Sequence, residues 1–303
     1  MKKTKAILSV LIFLSLLMST GLFAATEEKI EKTFDKKDEV RFKLVLGDCQ
    51  LEKSNDGRIH VHLVYSYGPG MNYVPKLEER GDTLYLEEKI REKNPKGYSR
   101  WTVAIPGETE IDFRSATGSL FIEDLDLKID GHTGTGEIDL KNVRGKFDLI
   151  SGTGRVKVSD SEGNFDVSSG TGRVIIENCK GNFDASSGTS DVRAEGLTIE
   201  YVGDFDSGTG DVEVAFPDGT DFELTLDSGT NDAVLDMMGR SIEGYFEFEC
   251  QAKRGRIKSP VKFDDEEEYG DDDQKYLRKS FTKGNNMPKV YIKTGTGTAK
   301  LIK

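Results

Sequence analysis

One phrase recurs along the chain and dictates what it can fold into. Its clearest copies are Ser151-Gly152-Thr153-Gly154-Arg155-Val156-Lys157-Val158 and Ser169-Gly170-Thr171-Gly172-Arg173-Val174-Ile175-Ile176; others begin at Ser115, Thr133, Ser187, Ser207 and Ser228. The third residue falls at Thr117, Thr135, Thr153, Thr171 and Thr189, a constant step of 18, then at Thr209 and Thr230 after steps of 20 and 21. A further copy runs Thr294-Gly295-Thr296-Gly297-Thr298-Ala299-Lys300-Leu301. A unit this short cannot enclose a core alone, so each must stack on its neighbours.

Inside one step the apolar period is 2. Phe165, Val167 and Ser169 alternate with polar residues, and after Gly170-Thr171-Gly172 the pattern resumes at Val174 and Ile176. That alternation predicts strands with one face inward. The glycines flanking Thr171 are read as a corner that needs positive φ, and Gly145, Gly163 and Gly181 as a second corner. The fold expected is therefore all-β: a single-stranded β-solenoid of 18–21 residues per coil with irregular end coils, successive strands lying about 4.7–4.9 Å apart.

Alignment on the step exposes columns. Ile111, Ile129, Phe147, Phe165 and Phe183 form an inward stack, and Ser115, Thr133, Ser151, Ser169 and Ser187 a corner stack. Beside the apolar stack runs an outward row, Asp112, Asp130, Asp148, Asp166 and Asp184, which Asp204 joins if its longer coil is aligned from the corner. These carboxylates are the candidate metal ligands, because such a row can hold a hard cation such as Ca²⁺. The competing reading is structural. Stacked like charges cost on the order of 1 kcal/mol per neighbour in water before screening, whereas each buried aliphatic or aromatic partner contributes roughly 1.5–3 kcal/mol. Burial outweighs repulsion, so the row stands without a ligand and no cofactor is required. Lys128 and Lys146 share its face and are expected to offset Asp130 and Asp148; Arg173 should face Asp191, and Arg193 should face Glu213.

Residues 1–24 carry Lys2, Lys3 and Lys5 ahead of an apolar run and small residues at Ala24-Ala25, the pattern of a cleaved export signal. No Cys stands at the cut to take a lipid, and no later stretch is long and apolar enough to span a bilayer. The net charge of −12, more negative still without those lysines, repels nucleic acid and anionic lipid. Residues 25–110 read as an irregular β portion that caps the stack, and 111–303 as the solenoid with an insertion at about 252–288. Within the cap, 40–67 looks like a worn coil, with Gly47-Asp48-Cys49-Gln50-Leu51 in the places of Gly118-Ser119-Leu120-Phe121-Ile122. The acidic run 264–273 reads as a solvated loop, and the strand 299–302 as an uncovered last strand able to pair with another chain.

The export signal, the worn repeat at Gly47-Asp48, the Val103-Ala104-Ile105-Pro106-Gly107 lead-in and the Ser-Gly-Thr-Gly repeats together resemble the bacterial putative-adhesin family of envelope proteins. The resemblance covers nearly the whole chain after the signal. It implies a β-solenoid and an adhesive role, and it brings no catalytic residues with it.

Other chemistry is sparse. Cys49, Cys179 and Cys250 lack metal-site spacing and read as small buried residues, with a disulfide as the alternative. His60 and His62 share one strand face, but His132, on another coil, supplies no third ligand. The 264–273 run does not fit a helix-flanked calcium loop, since Tyr269 and Tyr276 fall where oxygen ligands are needed. No nucleophile elbow, zinc motif or phosphate loop occurs, and the charged residues repeat with the coil as scaffold positions do. The expectation is a non-enzymatic protein, periplasmic, envelope-bound or extracellular, that offers flat repeat faces to a glycan or protein partner. The alternatives are a carbohydrate-active β-helix with its site in 66–100 or 252–288, and a self-assembling scaffold joined through its end coils.

Overall fold

The computed structural model describes residues 27–68, 71–92, 95–215, 217–271 and 274–303, so the segment read as an export signal lies outside the described residues. Two sheets, of 13 and 14 strands, hold every regular element among those residues. Each of the four regular coils from Asp126 to Glu195 sends an eight-residue strand to one sheet and a four-residue strand to the other. Arg144–Ser151 is followed by Val156–Ser159, Glu162–Ser169 by Val174–Glu177, and Lys180–Ser187 by Val192–Glu195. This is the expected all-β solenoid, with a long-strand sheet and a short-strand sheet closing over one core.

The 18-residue step fixes the register. Ile111 pairs with Ile129, then come Phe147, Phe165 and Phe183, and the last three rings stack with centroids 5.1 and 5.4 Å apart. At the next coil the column reaches Gly203, and Phe205 from the neighbouring column fills the space that Gly203 leaves. The core is one continuous ladder of such layers.

Hydroxyls and glycines build the first corner. Ser169 Oγ donates to the Gly154 carbonyl of the preceding coil (2.9 Å) and accepts from the N–H of Gly172 in its own turn (2.9 Å). Ser151, Ser187, Ser207 and Ser228 repeat both bonds. A buried hydroxyl thus satisfies two backbone groups per coil that no strand ladder reaches. The flanking glycines are not there for positive φ, as the sequence had suggested: neither Gly170 nor Gly172 adopts it. They are there because the coils touch. A Cβ on Gly170 would lie 2.5 Å from the Gly152 oxygen, and one on Gly172 would lie 2.2 Å from the Gly154 oxygen.

The second corner turns at Asp124, Asn142, Asp160, Asn178 and Gly196, all left-handed at φ 51–67°. Asp, Asn and Gly tolerate that region best. Gly145, Gly163 and Gly181, expected to make this corner, instead sit three residues after Asn142, Asp160 and Asn178, inside the long strands.

The stack stops by switching to antiparallel pairing, in both sheets at the N-terminal end and in the long-strand sheet at the C-terminal end. At the N-terminal end Cys49, Gln50 and Leu51 pair with Leu120, Phe121 and Ile122 as the worn coil predicts. Ile59–Tyr67 leaves that coil, however, and runs antiparallel to Gly97–Ile105 and Glu28–Phe34. At the C-terminal end two expectations are overturned. The acidic run is no loop: Asp265–Asp271 is a fully exposed edge strand, hairpinned to Gln274–Lys283, because Glu266 and Glu267 pair with Lys279 and Arg278 across the ladder. Nor is the last strand uncovered. Thr298–Ile302 lies between Ala233–Asp236 and Arg256–Lys258, paired on both sides.

Inside the N-terminal cap one buried carboxylate organises the turn 45–47. Glu88 Oε2 accepts the N–H groups of Val45, Leu46 and Gly47 at 2.8–3.1 Å, and Oε1 accepts from Trp101 Nε1 (2.9 Å), Tyr73 O–H (3.0 Å) and Ser99 Oγ. Six donors replace the water that the charge has lost.

Candidate binding face on the long-strand sheet

Outward positions of the long strands form three parallel columns. The central one is the predicted aspartate row. Asp112, Asp130, Asp148, Asp166 and Asp184 lie in register, Asp204 follows as expected, and the row then ends at Thr225. On one side run Lys128, Lys146, Asn164 and Asn182; on the other run Arg114, His132, Ile150, Ser168, Ser186, Asp206, Asp227 and Lys293.

The row is electrostatically two different things along its length. At its N-terminal end Arg114 grips Asp130 with both guanidinium nitrogens, at 2.8 and 2.6 Å, and stands 3.4 Å from Asp112. The Arg114 hydrogen bonds hold the Asp130 carboxyl below its usual range. His132 lies 3.2 Å from Asp130 and 4.0 Å from Asp148. Sequence reasoning weighed His132 only against His60 and His62, and missed it here; its signal was its place two residues after Asp130. Further along, burial raises Asp148, Asp166, Asp184 and Asp204 above the usual carboxylate range, and neighbouring aspartates add to the effect at all four. Asp206, flanked by Asp204, Asp227 and Asp184, is pushed up to about 6, burial being the first cause.

The lysines expected to offset the row behave otherwise. Lys128 reaches back to Glu110 at 3.0 Å rather than to Asp130, because Arg114 already occupies that carboxylate. Lys146 acts on Asp166. On the short-strand sheet the predicted pairs are present, Arg173–Asp191 at 3.2 Å and Arg193–Glu213 at 3.1 Å.

A family model, Toastrack DUF4097, matches residues 47–298. The chain belongs to the Toastrack family. No curated protein matches it. Among solved structures, a putative adhesin from Parabacteroides distasonis is similar at 11% identity, with 92% of this chain and 98% of that one covered and a TM-score of 0.40. A putative lipid binding protein from the same organism shows 14% identity, 91% and 97% coverage and a TM-score of 0.36. A putative cell adhesion protein from Clostridium sporogenes shows 10% identity, 91% and 99% coverage and a TM-score of 0.21. Likeness at these scores adds nothing to the reading of this chain.

One coil of this Toastrack stack breaks the rhythm of the face. In Thr198–Ser207 the register jumps between Gly181 and Phe183, so that Asn182 stands against a bulge at 200–202. The bulge lifts Tyr201 to 73% exposure and Val202 to 47%. Asn182 pins it: Oδ1 accepts from the N–H groups of Tyr201 (3.0 Å) and Val202 (3.2 Å), and Nδ2 donates to Asn164 Oδ1 (2.9 Å). Between the asparagine and aspartate columns lies a shallow trough of about 180 Å³, lined by Lys146, Asn164, Asp166, Asn182, Asp184 and Val202 over the Phe147, Phe165 and Phe183 stack. The two-residue lengthening of the step was visible in the sequence, but not where the extra residues go.

Elsewhere the candidates are separated or occupied. His60 and His62 do share an outward face on the short-strand sheet, where each meets a carboxylate, Asp56 and Glu31 respectively. The three cysteines are buried free thiols, and burial pushes Cys179 up to about 12. A cleft of about 450 Å³ lies at the corner of 217–222 and 237–243, with Asn285, Met287 and Pro288 completing its wall and Asp218, Asp221 and Glu243 as its carboxylates. There Arg240 stands 3.4 Å from Asp218.

Proposed function

We propose that this Toastrack chain is an exported, non-enzymatic, adhesin-like binding module of the cell envelope that presents its long-strand face to an envelope or extracellular ligand. The observation that carries the reading is the face itself: outward columns in unbroken register from Asp112 to Asp184, then an exposed aromatic raised by a pinned bulge. Contiguous exposed apolar surface rimmed by polar residues marks interaction sites, and Tyr201 and Val202 are adjacent and exposed on this face. Lysines ahead of an apolar run at the N-terminus support export. The charged residues recur with the coil, as a repeating surface requires and an isolated acid–base pair does not.

The test is sedimentation of the purified protein with cell-envelope fractions. Saturable binding is expected, abolished by Asp166→Lys with Asp184→Lys on the long-strand sheet and preserved by Glu195→Lys with Glu213→Lys on the short-strand sheet. Absence of binding, or equal loss from both pairs, overturns the face assignment. Release of reducing ends from a polysaccharide panel would replace the module reading by the enzymatic one.

A further inference from the structure

We propose that the trough beside Tyr201 binds a linear glycan that carries free amino groups, its sugar faces resting on Tyr201 and Val202 and its ammonium groups meeting the row Asp166, Asp184 and Asp204. The proposal names the ligand class for the face described above and rests on that reading.

Three observations converge. The first is an apolar platform. Tyr201 and Val202 are the two most outward residues of the bulge, and their backbone is held by Asn182, so the ring is presented from a fixed base. Bulges re-aim side chains, and this one puts Val202 in the polar column and raises Tyr201 next to it; an aromatic ring with a polar tip suits the C–H face and hydroxyls of a sugar.

The second observation is geometry. Asn164 and Asn182 line one side of the trough and Asp166 and Asp184 the other, each pair in register and so repeating every 4.7–4.9 Å or about that along the stack. Asp166 and Asp184 bring carboxylate acceptors to the trough and Asn164 Nδ2 a donor, while Asn182 is committed to the bulge and to Asn164 Oδ1. A site that repeats along one axis suits a ligand that repeats along one axis, so the occupant is a chain of sugars lying across the strands.

Charge is the third, and it selects the class of glycan. Among the described residues Asp184 feels Asp204 and its own burial, with no cation opposing them; at Asp166 the opposing cation is Lys146, and at Asp204 it is Lys293. An acidic polysaccharide would add to the repulsion in the row. An amino-sugar chain relieves it, and attraction of this kind steers association as well. A lysine-rich peptide meets the charge but leaves the exposed ring unused.

The test is calorimetric titration of the purified protein with chitosan oligosaccharides and, in parallel, with chitin oligosaccharides, in which the amines are acetylated. Chitosan should bind at low salt and weaken as salt screens the row. Chitin should bind at least about tenfold more weakly, and Tyr201→Ala should weaken chitosan about tenfold, the loss of one aromatic contact. Tyr201 is exposed, so its variant should melt as the parent does, and Asp184→Asn, which keeps the side-chain shape, should reduce both the affinity and its salt dependence. Equal affinity for chitin, or oligolysine binding as tight as chitosan with no response to Tyr201→Ala, overturns the proposal. If envelope binding persists while the chitosan titration is flat, this inference alone falls; if envelope binding is absent as well, the module reading falls with it.

Discussion

Thr294 stands between Ser228 and Cys250 in the long-strand sheet, in register with both. The coil that comes last in the chain is therefore inserted between two coils that precede it. The corner chemistry accounts for the order. Thr294 supplies the hydroxyl that donates to the Asn231 carbonyl (2.7 Å) and accepts from Gly297 N–H (3.1 Å), and Gly295 fits where a Cβ would come within 2.1 Å of the Gly229 oxygen. Cys250 and Gln251 have neither the hydroxyl nor the missing side chain, so that coil fits only at the end of the stack. Deletion of 289–303 should accordingly leave the preceding repeats folded while 244–283 becomes rapidly cleaved in limited proteolysis. Continued protection of that hairpin would show that it docks on the Glu223–Ser228 strand without the inserted coil.

Glu88 should be the most sensitive carboxylate in the chain. Glu88→Ala leaves three backbone N–H groups and the Trp101 and Tyr73 donors without their acceptor, a loss of about 3–5 kcal/mol for a buried, fully hydrogen-bonded charge. Glu88→Gln should cost less but remain clearly destabilising, since its amide turns N–H groups toward other donors. Urea unfolding measures both; a Gln variant as stable as the parent would mean that the charge contributes nothing.

At the corner, Gly170→Ala should destabilise more than Ser169→Ala. The first forces a Cβ against backbone at 2.5 Å, which only a shift of whole coils relieves; the second removes two hydrogen bonds, worth about 1–3 kcal/mol. The reverse order in thermal melts would refute coil contact as the reason for the glycine.

Asp206 sets a pH dependence of defined sign. Its carboxyl is raised from 3.8 to about 6, so folding favours the protonated form, and that contribution is present below about pH 4 and lost as pH rises through about 6. The groups facing it are Asp204 beside it, Asp184 and Asp227 on the flanking strands, and Lys293 beyond, which opposes the shift. Asp206→Asn should stabilise the protein at pH 7 by on the order of 1 kcal/mol once solvent screening is discounted, with no gain at pH 4. A gain independent of pH would place its cause in packing.

The grouping of Asp130, His132 and Asp148, with ligand atoms within 4.8 Å of one another, offers three donors to a cation, but Arg114 already holds Asp130. Calcium should thus raise the melting midpoint no more than sodium chloride at matched ionic strength. A calcium-specific rise that Asp148→Asn abolishes would make the row a cation site instead.

The aspartate row, the phenylalanine stack and the serine corner could be read from residue numbers alone. Parallel strands in register convert a constant step directly into a column, and an alternation of period 2 tells inside from outside. Alignment from the Ser207 corner likewise placed Asp204 in the row, because that corner keeps the hydroxyl ladder. The insertion of Lys289–Thr294, the six donors around Glu88 and the left-handed corner at Asn142 could not be read that way. Each depends on which backbone groups are left without a partner once distant strands have paired, and that is settled only by the assembled stack. The same holds for the face: sequence put the aspartates in line, but only the packed coils brought Arg114 and His132 to one end of the row and raised Tyr201 beside the other. Local periodicity fixed the coil, and competition for space and hydrogen bonds between coils fixed everything that distinguishes one from the next.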